Sequence, residues 1–280
     1  MTISLFDKKT GYIECKLCPH RCMLRAGESG KCSIRKCDGD TIFLSNYGEL
    51  VSIAVNPIEK KPFRCFLPKT DTLSVGGVGC SLRCAFCEQS GISQAGEHPN
   101  SKYFSIDYLI DVAKGKNCES ICMTFNEPTI SFEYLIDLAN ACHDSDLKFL
   151  LKTNAYVNKE PWGAICEVTD AMNIDFKGCD VQYLKITGAK EFVIKDRIKE
   201  AYDSGVCIEI SIPIYYSFLE DTRIFFQCSQ FLGSLDRDIP CHLLKVNPAY
   251  DFANHGPTEQ KVLDLARDII SFHMNNVFIE

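Results

Sequence analysis

The chain lacks any hydrophobic run of the roughly 18 residues that a helix needs to cross a bilayer. Its start, MTISLFDKKTGYIECK, lacks the basic segment and apolar stretch of an export signal. Together these absences predict a cytoplasmic protein with no membrane partner. Excess positive charge is missing too. There are 30 Lys and Arg against 37 Asp and Glu, a net charge of −7, so the broad basic surface of a nucleic-acid binder is not expected. No low-complexity linker is visible, and no repeat beyond an alternation of strands and helices. With 46% hydrophobic and 24% charged residues among 280, the composition is that of a globular chain with a core. That excludes disordered, collagen-like and coiled-coil classes.

Cysteine is the residue in excess, with 17 copies. An odd number without an export signal does not read as a disulfide scaffold. Clustered cysteines in a reducing compartment point instead to metal or redox chemistry. Cys15, Cys18, Cys22, Cys32 and Cys37 crowd the N-terminal region, and Cys80, Cys84 and Cys87 form a second group. The remaining nine are scattered and read as small buried hydrophobes.

Residues 1–70 differ from the rest: dense in cysteine and turn signals, with no long helix and a strand pair expected around TIFLSN and ELVSIAV. From about residue 72 strands and helices alternate. TLSVGGVG, ESICMTF, KFLLKTN, AMNIDFK, VCIEISIPI and CHLLKVNP read as strands. The segments after them carry helical spacing, with Ser105 as an N-cap and Gly205 as a C-terminal stop. VFIE begins one more strand. Six βα units imply parallel strands with right-handed crossovers, and ligands gather at the C-terminal ends of such strands. Cys80, Glu127, Asn154, Asp175 with Lys177, and Asn247 all fall at those ends, with Pro213 inside the fifth strand.

The stretch Gly76-Gly77-Val78-Gly79-Cys80-Ser81-Leu82-Arg83-Cys84-Ala85-Phe86-Cys87 carries C-x3-C-x2-C behind a glycine-ended strand. Three thiolates suit a [4Fe–4S] cube with its fourth iron open to a ligand; zinc with a fourth ligand is the rival. The glycines, Gly79 among them, let the backbone turn sharply toward the cluster. At the N-terminus, Cys15, Cys18, Cys22 and Cys32 in C-x2-C-x3-C-x9-C are enough for a structural zinc or a second iron–sulfur cluster, with Cys37 in reserve.

The C-x3-C-x2-C loop, with aromatic Phe86 before its last cysteine, resembles that of the radical S-adenosylmethionine (SAM) superfamily. Within it the chain is similar to activating enzymes of glycyl-radical enzymes, and closer still to the radical SAM member of the AmmeMemoRadiSam system. That closeness rests on Cys15-Lys16-Leu17-Cys18-Pro19-His20-Arg21-Cys22, the segment from Gly27 to Cys32, and Asn56-Pro57-Ile58-Glu59-Lys60-Lys61-Pro62. The resemblance implies an α/β fold, a partial (β/α)6 TIM-like barrel over residues 71–280, with residues 1–70 as a small Cys-rich metal-binding extension. It implies a [4Fe–4S] cluster on Cys80, Cys84 and Cys87 whose free iron chelates SAM. Reductive cleavage then gives methionine and a 5′-deoxyadenosyl radical, which abstracts hydrogen from a protein, peptide or small-molecule substrate.

The same resemblance assigns Glu127, in Thr124-Phe125-Asn126-Glu127-Pro128, to the SAM amino group and Lys177 of Asp175-Phe176-Lys177 to its carboxylate. It adds Gly79, Phe86, Asn126, Thr153, Asn154, Asp175 and Asn247 to the cofactor contacts. Lys152 stands where activating enzymes place an Asp, so charge there is supplied by the lysine rather than by a bound cation. His242 reads as a satisfied core histidine. An external reductant such as flavodoxin or ferredoxin is implied. A non-catalytic iron–sulfur or zinc protein is the alternative, and methyl transfer ranks lower because no further cysteine pair is assignable to it.

Overall fold

A computed structural model describes residues 3–179, 181–215 and 221–280. Its centre is an eight-stranded sheet: β1 (Ser52–Pro57), β2 (Asp71–Gly76), β3 (Ser120–Met123), β4 (Lys148–Thr153), β5 (Ala171–Asp175), β6 (Cys207–Ile214), β7 (Cys241–Lys245) and β8 (Val277–Ile279). The strands lie side by side in chain order. β1 runs antiparallel to β2, and every later neighbour is parallel. Strands β2 and β3 are buried almost throughout, the signature of parallel strands covered on both faces. The helices longer than a single turn are α1 (Ile106–Gly115), α2 (Phe132–His143), α3 (Lys159–Val168), α4 (Val181–Thr187), α5 (Glu191–Asp203), α6 (Arg223–Leu235) and α7 (Gln260–Ile270). The parallel order is that expected from the alternation, and the architecture is the partial TIM-like barrel that the resemblance implies.

Local chemistry sets the boundaries. Ser105 caps α1, its side chain accepting from the Tyr108 N–H, and Gly205 follows α5 with φ +83°, where a glycine is unstrained. The first two positions of the fifth helix expected from the sequence, 219 and 220, lie outside the described residues. Trp162 on α3, the chain's single tryptophan, is fully buried and donates from Nε1 to the Arg197 carbonyl of α5 at 3.0 Å.

The N-terminal segment corrects one expectation. TIFLSN and ELVSIAV do not pair with each other. Ile42–Leu44 pairs with Arg35–Cys37 instead, because the Asp38 carboxylate accepts from the N–H groups of Asp40 and Thr41 and Gly39 turns with φ +103°. That is an Asx turn, which closes the shorter hairpin first. Ser52–Pro57 is thereby free to become β1, so the central sheet begins before residue 71. Arg35, almost fully buried, docks the extension onto the barrel. Its two terminal nitrogens reach the Glu133 carboxylate on α2 at 2.6 and 2.7 Å, and Nε donates to the Ile130 carbonyl at 2.9 Å.

At the opposite end of the strands, His242 of β7 lies between Glu209 of β6 (2.7 Å) and Glu280 (2.9 Å). Glu209 also accepts the N–H groups of Arg64, Cys65 and Phe66, and the Arg64 guanidinium forks onto Glu280. His242 is thus the satisfied core histidine expected. The segment leading into β2 is tied to the last residue of the chain.

Candidate active site

The loop that follows β2 is shaped by close backbone approach. A Cβ on Gly76 would stand 2.5 Å from the Thr124 carbonyl, and one on Gly79 would stand 2.5 Å from the Cys32 carbonyl. Gly79 also has φ +87°. Asn126 laces the loop to the end of β3: its amide donates to the carbonyls of Val78 (2.9 Å) and Gly79 (3.2 Å) and accepts from the Gly77 N–H (3.2 Å). Beside it Phe125 has φ +72°, a strained conformation for an L residue of the kind that collects at functional sites. From the N-terminal side, His20 Nε2 bonds the Ser81 carbonyl at 2.7 Å.

Cys80, Cys84 and Cys87 line one cavity of about 420 Å³ at the C-terminal ends of the strands. The Cys80 thiol accepts from the Leu82 N–H at 3.3 Å and from the Asn154 amide at 3.5 Å. Cys87 Sγ lies 3.3 Å from the Ser93 hydroxyl. Burial pushes the Cys80 thiol well up and that of Cys84 to about 12, while the Lys177 ammonium works in the opposite direction at both. Thiols so placed ionise when a metal takes the place of their protons. No fourth cysteine lines the cavity among the described residues. A soft three-thiol donor set beside an open volume fits a [4Fe–4S] cube with one iron left for a ligand.

Glu127 is buried, with only 2% of its surface exposed. Its Oε1 accepts from the Thr129 N–H (3.1 Å), the Thr129 hydroxyl (2.7 Å) and the Thr153 hydroxyl (2.7 Å). Its Oε2 accepts from the Asn154 N–H at 2.7 Å. Burial raises its pKa and these four hydrogen bonds oppose the rise. Oε1 accepts three of these bonds and Oε2 one, in a residue that lines the cavity.

Asp175 is shared. Lys152 Nζ reaches its Oδ1 at 2.8 Å and Lys177 Nζ its Oδ2 at 2.9 Å. Burial alone would raise Asp175, but the two ammoniums hold it down at about 2. Burial likewise disfavours the charge on Lys177, and Asp175 with the neighbouring thiols raises its pKa regardless. Lys152 also donates to Asn173 (2.8 Å) and Ser211 (3.3 Å). The lysine at this position therefore supplies the local charge, as the sequence suggested.

The structure gathers Cys80, Cys84, Cys87, Phe86, Asn126, Glu127, Thr153, Asn154, Asp175 and Lys177 around the one cavity, together with Pro213. Phe86 stacks on Tyr215 with centroids 4.6 Å apart. Gly79 acts behind the cavity wall, through its backbone. Asn247 does not reach the cavity. Its amide and N–H both donate to Glu88 at 3.2 and 3.0 Å, and it lines a small hollow of about 130 Å³ behind Val246 and Tyr215. Sequence reasoning missed Lys61, which lines the cavity and lies 4.3 Å over the Phe125 ring. The Lys60-Lys61 pair in the segment before β2 was its one visible signal. Among the described residues no three His, Cys, Asp or Glu side chains form a site for a single metal ion, whether at the triad or at Cys15, Cys18, Cys22 and Cys32.

The family model of the Radical SAM superfamily matches residues 74–222. The chain belongs to the radical SAM superfamily. A [4Fe–4S] cluster and SAM follow from that membership. An uncharacterized protein of Methanocaldococcus jannaschii is 31% identical over 262 residues, 92% of this chain and 77% of that one. A domain of pyruvate-formate lyase-activating enzyme from Bacteroides vulgatus shares the radical SAM fold with a TM-score of 0.50 at 20% identity, over 57% of this chain and 98% of that one. Streptococcus suis SuiB, bound to precursor peptide SuiA, matches with a TM-score of 0.59 at 14% identity, over 73% of this chain and 47% of that one. No helix among the described residues is long and apolar enough to cross a membrane.

Proposed function

We propose that this radical SAM enzyme abstracts hydrogen from a protein, peptide or small-molecule substrate, with Cys80, Cys84 and Cys87 as the ligands of its cluster. The observation that carries the proposal is the single cavity in which three thiols of one loop face the Lys152–Asp175–Lys177 pairing. When bound, the cluster and SAM supply reductive cleavage to methionine and a 5′-deoxyadenosyl radical, with the electron coming from an external donor such as flavodoxin or ferredoxin. The chain's own residues bind and orient. Lys177 takes the SAM carboxylate through a charge-assisted hydrogen bond, held in place by Asp175. Glu127 offers Oε2 to the SAM ammonium while its other contacts fix Thr153 and Asn154. Phe86 and Tyr215 wall off water from the reacting centre.

Activation of a glycyl-radical enzyme is one reaction of this class, in keeping with the fold shared with the activating-enzyme domain. The N-terminal motif supports the finer reading as the radical SAM member of the AmmeMemoRadiSam system. The Cys-rich residues before β1 are proposed as a metal-binding extension, in which Cys15, Cys18, Cys22 and Cys32 would have to draw together around zinc or a second cluster, and β1 with residues 71–280 as the catalytic core. Anaerobically reconstituted protein with SAM and dithionite is expected to release 5′-deoxyadenosine, and Cys84→Ala to abolish both that product and the iron of the core. An intact cluster that yields no 5′-deoxyadenosine would overturn the proposal.

A further inference from the structure

Five lysines line the cavity: Lys60, Lys61, Lys152, Lys177 and Lys245. Three carboxylates face them, and each is already committed. Glu127 has its four donors, Asp175 is shared between Lys152 and Lys177, and Glu88 holds Asn247. In a chain of net charge −7, this is a local concentration of the opposite sign. A second hollow of about 480 Å³ shares Lys60, Lys152 and Lys245, and there Glu59 and the Arg64–Glu280 pair offset part of the charge.

Lys61 is the decisive residue. Only 7% of its surface is exposed. Among the described residues its ammonium has the Phe125 ring as a neighbour and forms no hydrogen bond or ion pair. The ammonium itself is not sealed off but opens on the cavity, where an arriving anion would supply the counterion it lacks. Burial lowers its pKa; the Cys122 thiol opposes this, and the charges of Lys152 and Lys60 add to the lowering. The cluster does not account for it: the lysine whose charge is felt at Cys80 and Cys84 is Lys177.

We propose that the hydrogen donor is recognised through an anionic group, phosphate or carboxylate, which Lys61 binds inside the cavity with Lys60 and Lys245 at the mouth. This deepens the hydrogen-abstraction reading by naming a substrate class, and it rests on that reading only for the purpose of the cavity.

The test uses the reconstituted holoprotein with pyrophosphate and citrate as separate probes, titrated calorimetrically at constant ionic strength so that general screening is held fixed. One of the two is expected to bind saturably at one site. Lys61→Met and Lys61→Gln are expected to weaken it by about tenfold or more, the loss that follows removal of a charge-assisted hydrogen bond. Lys114→Gln, on the far end of α1, is expected to leave that affinity unchanged. Pyrophosphate against citrate separates phosphate from carboxylate recognition. Thermal unfolding gives a second readout: the bound probe should raise the midpoint of the wild type and not that of Lys61→Met. The proposal is overturned if neither probe binds, if both bind Lys61→Met as they bind the wild type, or if Lys61→Met loses SAM and keeps the probe. Lys61-dependent probe binding in a protein that makes no 5′-deoxyadenosine would sink the functional reading and leave this one standing.

Discussion

Asp175 carries two obligations at once. Lys152 and Lys177 both depend on it for a counterion, and both are more than three-quarters buried. Asp175→Asn would leave two buried ammoniums facing each other across a neutral amide, at a cost of about 3 kcal/mol in unfolding free energy. Chemical denaturation of the wild type and variant at neutral pH measures it. The sign with pH follows from the depressed value near 2. The stabilisation is fully present above the ordinary carboxylate range near 4, and it is lost as pH falls from there through about 2. The variant should lack that acid-side decline. Glu127 behaves differently, because burial raises it while its four donors oppose the rise. Both positions were legible as charged residues at strand ends. Their partners were not: Lys152 came with a role but no geometry, and Lys61 was hidden because two adjacent lysines in a loop look like a solvated edge.

The alternation of apolar strands and amphipathic helices was enough to place β2 to β8 and the helices between them, down to the Ser105 cap and the Gly205 stop, but not α4, the short helix ahead of α5. The failure lay in the N-terminal segment. There a two-residue turn signal at Asp38-Gly39 outranked the longer apolar runs, and a tertiary partner, β2, claimed the strand left over. The bond from Asn247 to Glu88 was not legible for a related reason, since strand-end position says nothing about which neighbouring side chain captures an amide. The loop between β2 and the cysteines has little freedom. Gly79→Ala would put a methyl group 2.5 Å from the Cys32 carbonyl in a backbone conformation that L residues avoid. We expect it to cut core iron content severalfold at matched protein concentration, measured after anaerobic reconstitution. Full iron loading in that variant would show that the extension can retreat from the loop without consequence.

Across the whole molecule, the first and last parts of the chain are fastened through His242. Glu209 and Glu280 together raise its pKa against the effect of burial. Glu209 is lowered and Glu280 is held near 2 in return. A raised histidine stabilises fully below its unfolded value near 6.5, and that contribution is lost as pH rises through the folded value. The depressed carboxylates stabilise above about 4.3 and are lost in acid. The network is therefore strongest between about pH 4.5 and 6.5. His242→Gln should cost most stability in that window and flatten the decline above it, as read from unfolding midpoints at pH 5.5 and 9. A variant that keeps the wild-type slope would assign the decline to other groups.

Trp162 sits in the outer helical layer, packed from α3 against α5, while the cysteines sit on a loop at the mouth of the barrel. Indole emission thus follows the scaffold, and the part of the brown visible absorbance that Cys84→Ala removes follows the loop. Following both colours through one denaturant titration would reveal in a single cuvette whether the radical-generating end melts before the frame that holds it.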